Sequence, residues 1–578
     1  MTVLHGIPSS DGVAVAPVLI YQVKPVILPE GKLSSQEIPD QLAALEMALV
    51  QVKADLTQAA GKAREEIGQD AGDIFDAHIG ILDDPDLLDC VRGKISDSLC
   101  PAARAVWEAG QEFSALFEKM DDPYLRARGA DISDVANRLA RKITGQQSSN
   151  LAALPGPRIL VGHDIAPSDT ASMDKRNVVG IISETGSRTS HAVILARSLG
   201  IPAVVGVPGA LLALKDGEQI ILNGTQGTII SGASPKQLLE AQSVAAVRKT
   251  ELEMLRKTAK TPAITRDGAT IQVQANIGSP ADAATSLEFG ADGVGLFRSE
   301  FFYMGSDDLP DEQTQYEGYL AAAKALGEKP LIVRTMDIGG DKKLPCLPLP
   351  QEMNPFLGYR AIRICLDRPE LFRPQIRALL RAAQVGNLSI MLPMIGSIGE
   401  IRQAKALIDD CKQELRREGV PFREDTPVGI MVEIPSIALQ AEAAARYVDF
   451  FSIGTNDLMQ YTLAVDRMNE KVAPLYQPFH PGVLSLIERV IWAGANAGIH
   501  VGMCGEMAGM PAAIPLLLGM GLENFSMSAA SIPQAKDLLR KLSRKECQTL
   551  AEQALACDTA EDVNALVVEF CTNAGLLL

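Results

Sequence analysis

Gly293-Val294-Gly295-Leu296-Phe297-Arg298-Ser299-Glu300 is a short apolar run that ends in opposite charges, and its pattern recurs through the second half of the 578-residue chain. Apolar runs of strand length follow at 331–337, 388–394, 428–434, 450–457, 500–506 and 523–528, and another precedes at 271–277. Helical apolar spacing fills most of the gaps. Eight such strands alternating with helices predict a (β/α)8 TIM barrel over residues 261–578. In that architecture the C-terminal strand ends build the site, and here they carry charge. The third run ends Val333-Arg334-Thr335-Met336-Asp337, the fifth Met431-Val432-Glu433, the sixth Gly454-Thr455-Asn456-Asp457 and the seventh Gly502-Met503-Cys504-Gly505-Glu506.

Arginines facing carboxylates and an amide describe an anion site that holds a divalent metal. Glu433 and Asp457 are suited to ligate Mg2+ through oxygen, while Arg298 and Arg334 clamp a phosphate and Arg467 completes the clamp. A salt bridge at a barrel rim explains any one of these residues equally well; five loaded strand ends together do not fit that explanation. An isolated cysteine is usually a small buried hydrophobe, but Cys504 falls between Met503 and Gly505 at a charged mouth, where a thiol can move a proton.

Upstream, Val178-Val179-Gly180-Ile181-Ile182 reads as a strand and Ser183 to Ser190 as a turn. A helix then runs from His191 to Leu199, stopped by Gly200 and Pro202. His191 thus opens a helix, where free N–H groups favour an anion and keep imidazole neutral and nucleophilic. Residues 1–22 alternate short apolar runs with Gly and Pro and are expected to pair with the strands of 145–230 in one α/β domain. The intervening 23–144 turn helical: Leu42, Leu45, Leu49, Val52 and Leu56 form one stripe, and Asp84-Pro85 marks a capped helix start. Residues 231–260 read as a linker helix.

Composition narrows the class. Apolar residues make up 47% of the chain, enough for several cores, and charge, Gly or Pro breaks every apolar run short of a membrane span. Nine scattered cysteines suggest neither a disulfide framework nor a zinc site. A net charge of −17 argues against nucleic-acid and anionic-membrane partners. Residues 32–142 hold 21 acids against 13 bases, a surface suited to a basic protein partner or simply to solvent. With no signal sequence evident at the start, a cytoplasmic protein is expected.

The run Gly186-Ser187-Arg188-Thr189-Ser190-His191, continuing to Ile201-Pro202-Ala203-Val204-Val205-Gly206, resembles the phosphohistidine signature of phosphoenolpyruvate-utilising enzymes. Together with Phe75-Asp76-Ala77-His78-Ile79, Asp292 to Phe301, Arg334 to Lys342, Asn354 to Arg363, Asp449 to Leu458 and Gly502 to Glu506, it makes nearly the whole chain similar to the enzyme I family of bacterial phosphotransferase systems. That resemblance implies a swivelling phosphohistidine α/β domain, an all-α insertion that binds a small HPr-like histidine phosphocarrier, and a barrel that binds phosphoenolpyruvate and forms a homodimer. It implies His191 as phospho-acceptor and Cys504 as proton donor. Arg298, Arg334, Asn456, Asp457 and Arg467 become phosphoenolpyruvate contacts, and Glu433 and Asp457 the Mg2+ ligands. Ser187 stands where the family commonly has a second glycine. Alternatives are a regulatory paralogue, a non-enzymatic scaffold, or a dikinase or synthase relative; the last needs an ATP-binding domain, for which no motif stands out.

Overall fold

The computed structural model describes all residues except 22–25, 67–68, 119–122, 147–153, 155, 164, 166–176, 186–192, 194–195, 197–199, 304–307, 340–346, 348, 351, 468, 470 and 577–578. The chain divides into two compact units, Met1–Thr250 and Glu251–Leu578.

In the first unit, β1 (Thr2–His5), β2 (Ile7–Ser10), β3 (Val13–Tyr21), β4 (Arg158–Gly162), β5 (Val178–Ser183), β6 (Ala203–Val205), β7 (Gln219–Asn223) and β8 (Thr228–Ser231) form one mixed sheet. Its order is β1-β8-β7-β3-β4-β5-β6-β2. The N-terminal strands do pair with the later ones. β3 runs parallel to β4, Val18 opposite Ile159, and antiparallel to β7, Val15 opposite Ile221. The five helices between β3 and β4 are therefore an insertion within the crossover of two adjacent strands. They are α1 (Ile38–Glu66), α2 (Gln69–Leu82), α3 (Pro85–Ser96), α4 (Ala102–Glu118) and α5 (Pro123–Thr144).

The insertion has its own core, to which α1 contributes Leu45, Leu49, Val52 and Leu56, all on one face and buried, with Leu42 packed at the edge. That is the stripe read from spacing. Asp84 caps α3, accepting from the N–H groups of Asp86 at 2.9 Å and Leu87 at 3.0 Å, with Pro85 in the first turn where its missing N–H costs nothing. The helix Pro235–Thr258 follows β8.

The second unit is a closed parallel barrel of β10 (Thr270–Ile277), β11 (Val294–Arg298), β12 (Leu331–Arg334), β13 (Leu388–Leu392), β14 (Val428–Val432), β15 (Phe450–Ile453), β16 (His500–Met503) and β17 (Asn524–Ser528). The preceding β9 (Ala263–Ile264) pairs antiparallel with β10. Closure is direct: β10 pairs with β17, Gln272 opposite Asn524, and with β11, Ala275 opposite Val294. Alternation sorts the side chains. On β14, Val428, Ile430 and Val432 join the large core under the helices, whereas Met431 joins Leu296, Met391, Phe450 and Cys504 in a small separate cluster. Gly429 makes room there, since a Cβ on it would lie 2.5 Å from the Phe450 ring.

The strands are shorter than the apolar runs that announced them. Extended backbone stops at Arg298, Arg334, Val432, Ile453 and Met503, so Asp337 and Glu433 stand in loops beyond the strands, Glu300 and Glu506 in short 3-10 turns, and Asp457 in the first turn of a helix. The physical reason is that a ladder consumes backbone N–H groups, whereas a turn leaves them free to meet a carboxylate. No helix among the described residues is long and apolar enough to cross a membrane.

Candidate active site

At one end of the barrel the side chains that follow five strands converge. Arg334, the last residue of β12, donates from Nη2 to Glu300 Oε1 at 2.8 Å, and its Nη1 lies 3.0 Å from Asp337 Oδ2. The Asp337 N–H reaches the same Glu300 oxygen at 3.1 Å, so one buried carboxylate ties two turns together. Arg360, from the loop between β12 and β13, forks onto Asp337 with Nη2 at 2.9 Å from Oδ1 and 3.1 Å from Oδ2. The same nitrogen lies 3.5 Å from Asp457 Oδ2, while Nη1 donates to Tyr461 Oη at 3.3 Å. Burial opposes the charge of both arginines, yet the surrounding carboxylates outweigh it and hold each guanidinium above its ordinary pKa.

Glu433 and Asp457 are the carboxylates left short of partners. Glu433 Oε1 accepts the Met394 N–H at 2.6 Å, presented by a residue in the left-handed region at φ 56°. Burial, then Asp457 and Asp337, push the Glu433 carboxyl up to about 8 against the pull of Arg334 and Arg360. Asp457 Oδ1 is buried without a hydrogen-bond partner among the described residues. Surplus negative charge and an orphaned oxygen in an all-oxygen set fit a hard divalent cation. Among the described residues no group of three or more His, Cys, Asp or Glu could hold a metal. A two-carboxylate set still suits a cation that keeps water and substrate oxygens as its other ligands.

Gly454 secures this pair. A Cβ there would lie 2.9 Å from Glu433 Oε2 and 3.0 Å from Glu433 Cβ. We expect Gly454→Ala to displace Glu433 and raise the concentration of divalent cation needed for half-maximal activity by about tenfold or more. A metal titration of the purified variant checks this, and an unchanged midpoint would show that the carboxylate can move freely.

Cys504 follows β16 and is 4% exposed beneath the mouth. Burial holds its thiol above the ordinary value, with Glu433 adding to the shift; a hydrogen bond with Ser452 and the charges of Arg334 and Arg298 oppose it. The sulfur therefore keeps its proton at neutral pH. Arg298 itself is exposed at the end of β11. Asn456 is held by Glu506, whose N–H donates to Asn456 Oδ1 at 3.0 Å and whose Oε1 lies 3.4 Å from Asn456 Nδ2. Tyr476 Oη donates to the Asn456 carbonyl at 3.0 Å. Its phenol is pushed up to about 12 by burial, while the neighbouring Arg467 pulls the other way, which places Arg467 on the same flank. Asn456 and Asp457 lie in the first turn of the helix Thr455–Leu463, whose free N–H groups add positive potential.

The structure thus gathers Arg298, Arg334, Glu433, Asn456, Asp457, Arg467 and Cys504 at one end of the barrel. His191, with Arg188, Thr189 and Ser190, lies outside the described residues. The approach to it is described: Ser183 Oγ and Thr185 Oγ1 donate to the His163 carbonyl at 3.0 and 2.8 Å, and Glu184 pairs with His163 Nδ1 at 2.9 Å. Sequence reasoning missed Arg360, because it searched strand ends and this residue sits in a loop. The buried acids Glu300 and Asp337, which an unpartnered Arg334 could not have balanced, were the available signal.

An anion-clamping barrel that also offers two metal-competent carboxylates and a protonated thiol is the equipment of an enzyme handling a phosphorylated enol, and the chain belongs to the PEP-utilising enzymes. Residues 252–544 match the PEP-utilising enzyme PEP-binding domain, 5–128 the N-terminal domain and 154–227 the mobile domain of that family. Within it, the chain is similar to proteins named phosphoenolpyruvate-protein phosphotransferase. It is 44% identical over 574 residues to that of Staphylococcus carnosus (strain TM300), covering 99% of each chain. It is also 44% identical over 564 residues to that of Geobacillus stearothermophilus, covering 98% of this chain and 97% of the relative.

Proposed function

We propose that the chain transfers the phosphoryl group of phosphoenolpyruvate to its own His191 and then to a histidine of a small HPr-like phosphocarrier protein, releasing pyruvate. The observation that carries this reading is the buried barrel mouth, where Arg334 and Arg360 stand among Glu300, Asp337, Glu433 and Asp457 with the Cys504 thiol near Arg334 and Glu433, in a chain alike over nearly its whole length to phosphoenolpyruvate-protein phosphotransferases.

The chemistry divides among the residues. Arg298, Arg334 and Arg467 bind the phosphate and carboxylate oxygens, and Asn456, fixed by Glu506, orients the substrate. Glu433 and Asp457 hold Mg2+, which supplies charge neutralisation for phosphate and enolate oxygens when bound. A His191 ring nitrogen forms the new N–P bond as the bridging P–O bond breaks, and the electron pair passes to the enolate of pyruvate. Cys504 gives its proton to the enolate carbon, a step suited to a thiol that burial keeps protonated.

Domain roles follow the same reading: residues 1–22 and 145–230 carry the phosphohistidine, 23–144 dock the carrier, 231–260 link, and 261–578 bind phosphoenolpyruvate and dimerise. The acidic insertion complements a basic carrier, and His191 must visit the barrel mouth and leave it. A cytoplasmic homodimer serving sugar uptake completes the proposal.

Incubating the full chain with phosphoenolpyruvate and Mg2+ tests it. We expect stoichiometric pyruvate and an acid-labile phosphate mapping to His191; absence of pyruvate, or label on another residue, overturns the reading.

A further inference from the structure

Gln375 contacts none of the groups just assigned, yet it is the one polar residue among those buried on the helix Pro369–Ala382. It is 0% exposed. Its Oε1 accepts the Met336 N–H at 2.9 Å, and its Nε2 donates to Ser299 Oγ and to Tyr319 Oη, each at 3.0 Å. Tyr319 Oη in turn donates to Gln315 Oε1 at 3.3 Å, and Gln315 Nε2 to the Pro310 carbonyl at 3.1 Å. A methionine at 375 could fill similar space beside Leu371, Phe372 and Ile376 without burying an amide. What the amide adds is a bond to each of two turns.

Those turns matter. Ser299 stands between Arg298 and Glu300, and Met336 between Arg334 and Asp337. Glu300 Oε1 receives both Arg334 Nη2 and the Asp337 N–H, so a slip of either turn breaks a double contact on which the Arg334 guanidinium depends. Asp337 also carries Arg360. We propose that Gln375 is a positioning residue for phosphoenolpyruvate turnover: one buried amide fixes the spacing of the turn bearing Arg298 and Glu300 against the turn bearing Arg334 and Asp337. This rests on the reading of the barrel mouth as the phosphoenolpyruvate site. The bond to Met336 is to the backbone, so no substitution at 336 other than proline removes it, and the side chain at 375 alone controls both arms.

The test uses the full chain with Mg2+, phosphoenolpyruvate and labelled pyruvate, following exchange of label between the two, which needs no carrier. If the wild type does not exchange, the functional reading fails and this proposal falls with it. If it does, Gln375→Met is expected to lower the kcat of exchange about thirtyfold with KM changed less than about threefold, at a temperature well below its melting midpoint. A displaced arginine loses its grip on charge that develops in the transition state, whereas looser core packing alone would shift only the melting midpoint.

Gln375→Glu should recover exchange to within about fivefold of wild type, because a carboxyl oxygen still accepts from Met336 and the Ser299 hydroxyl can rotate to donate, while Tyr319 can do so only by giving up its long bond to Gln315. A Met variant within twofold of wild type, a Glu variant as slow as the Met variant, or a loss confined to KM overturns the proposal. Should the Met variant not fold, Ser299→Ala decides: it removes one arm by deleting a single hydroxyl, and exchange is expected to slow about threefold to tenfold. Unchanged exchange in that variant overturns the proposal equally.

Discussion

Asp457→Ala is expected to lower pyruvate release from phosphoenolpyruvate by about a thousandfold, roughly 4 kcal/mol of transition-state stabilisation. The buried Oδ1 of Asp457 has no hydrogen-bond partner among the described residues, and its Oδ2 lies 3.5 Å from Arg360, so the carboxylate is largely unspent on the fold. Its loss leaves Arg360 still forked on Asp337 and bonded to Tyr461. The barrel should therefore stay folded. The site, however, loses one of two oxygen donors for the cation, and Glu433 loses the neighbour whose charge contributes to its raised pKa. A folded variant should thus need far more Mg2+ while its melting midpoint hardly moves. Steady-state rates across a Mg2+ titration check this; a near-normal Mg2+ dependence would place the metal elsewhere.

The barrel was legible because most of its strands are apolar on both faces and are punctuated by helices, a pattern with few other physical solutions; only the first and last alternate with polar residues. The loaded strand ends were legible for the same reason, since charge placed after a buried run has to be explained. What sequence could not supply was the partnership among those charges. Glu300 and Asp337 were visible as acids at strand ends, but that both serve Arg334 depends on the turn conformations beyond Arg298 and Arg334. Arg360 and Gln375 were invisible as site elements because loop and helix positions carry no period that marks them. Met394 belongs with them: its contribution is a backbone N–H aimed at Glu433, and a left-handed methionine leaves no trace in composition. In the first unit the sheet order could not be read from apolar runs, because the helical insertion separates β3 from its parallel neighbour β4.

His191→Ala is expected to abolish phosphoenzyme formation while leaving phosphoenolpyruvate affinity within about twofold, since in this assignment the binding groups add no contact through His191. The arginines, Asn456, Glu433, Asp457 and Cys504 all follow residue 290, within the unit Glu251–Leu578. That unit owns a separate core, so a change in the first unit gives it no reason to repack. Nor should the first unit unfold. Its β5 end is tied by Ser183 and Thr185 to the His163 carbonyl, and Val193 and Ala196 are themselves fully buried. With no nitrogen to accept the phosphoryl group, exchange of label between pyruvate and phosphoenolpyruvate must stop as well, because the reverse reaction has no phosphohistidine to draw on. Calorimetric titration with phosphoenolpyruvate and Mg2+, beside the exchange assay, separates the two effects. Label appearing on another histidine would move the acceptor, and a tenfold loss of affinity would show that the first unit contributes to ground-state binding, which would assign the mouth a smaller share of the substrate than the arginine clamp implies.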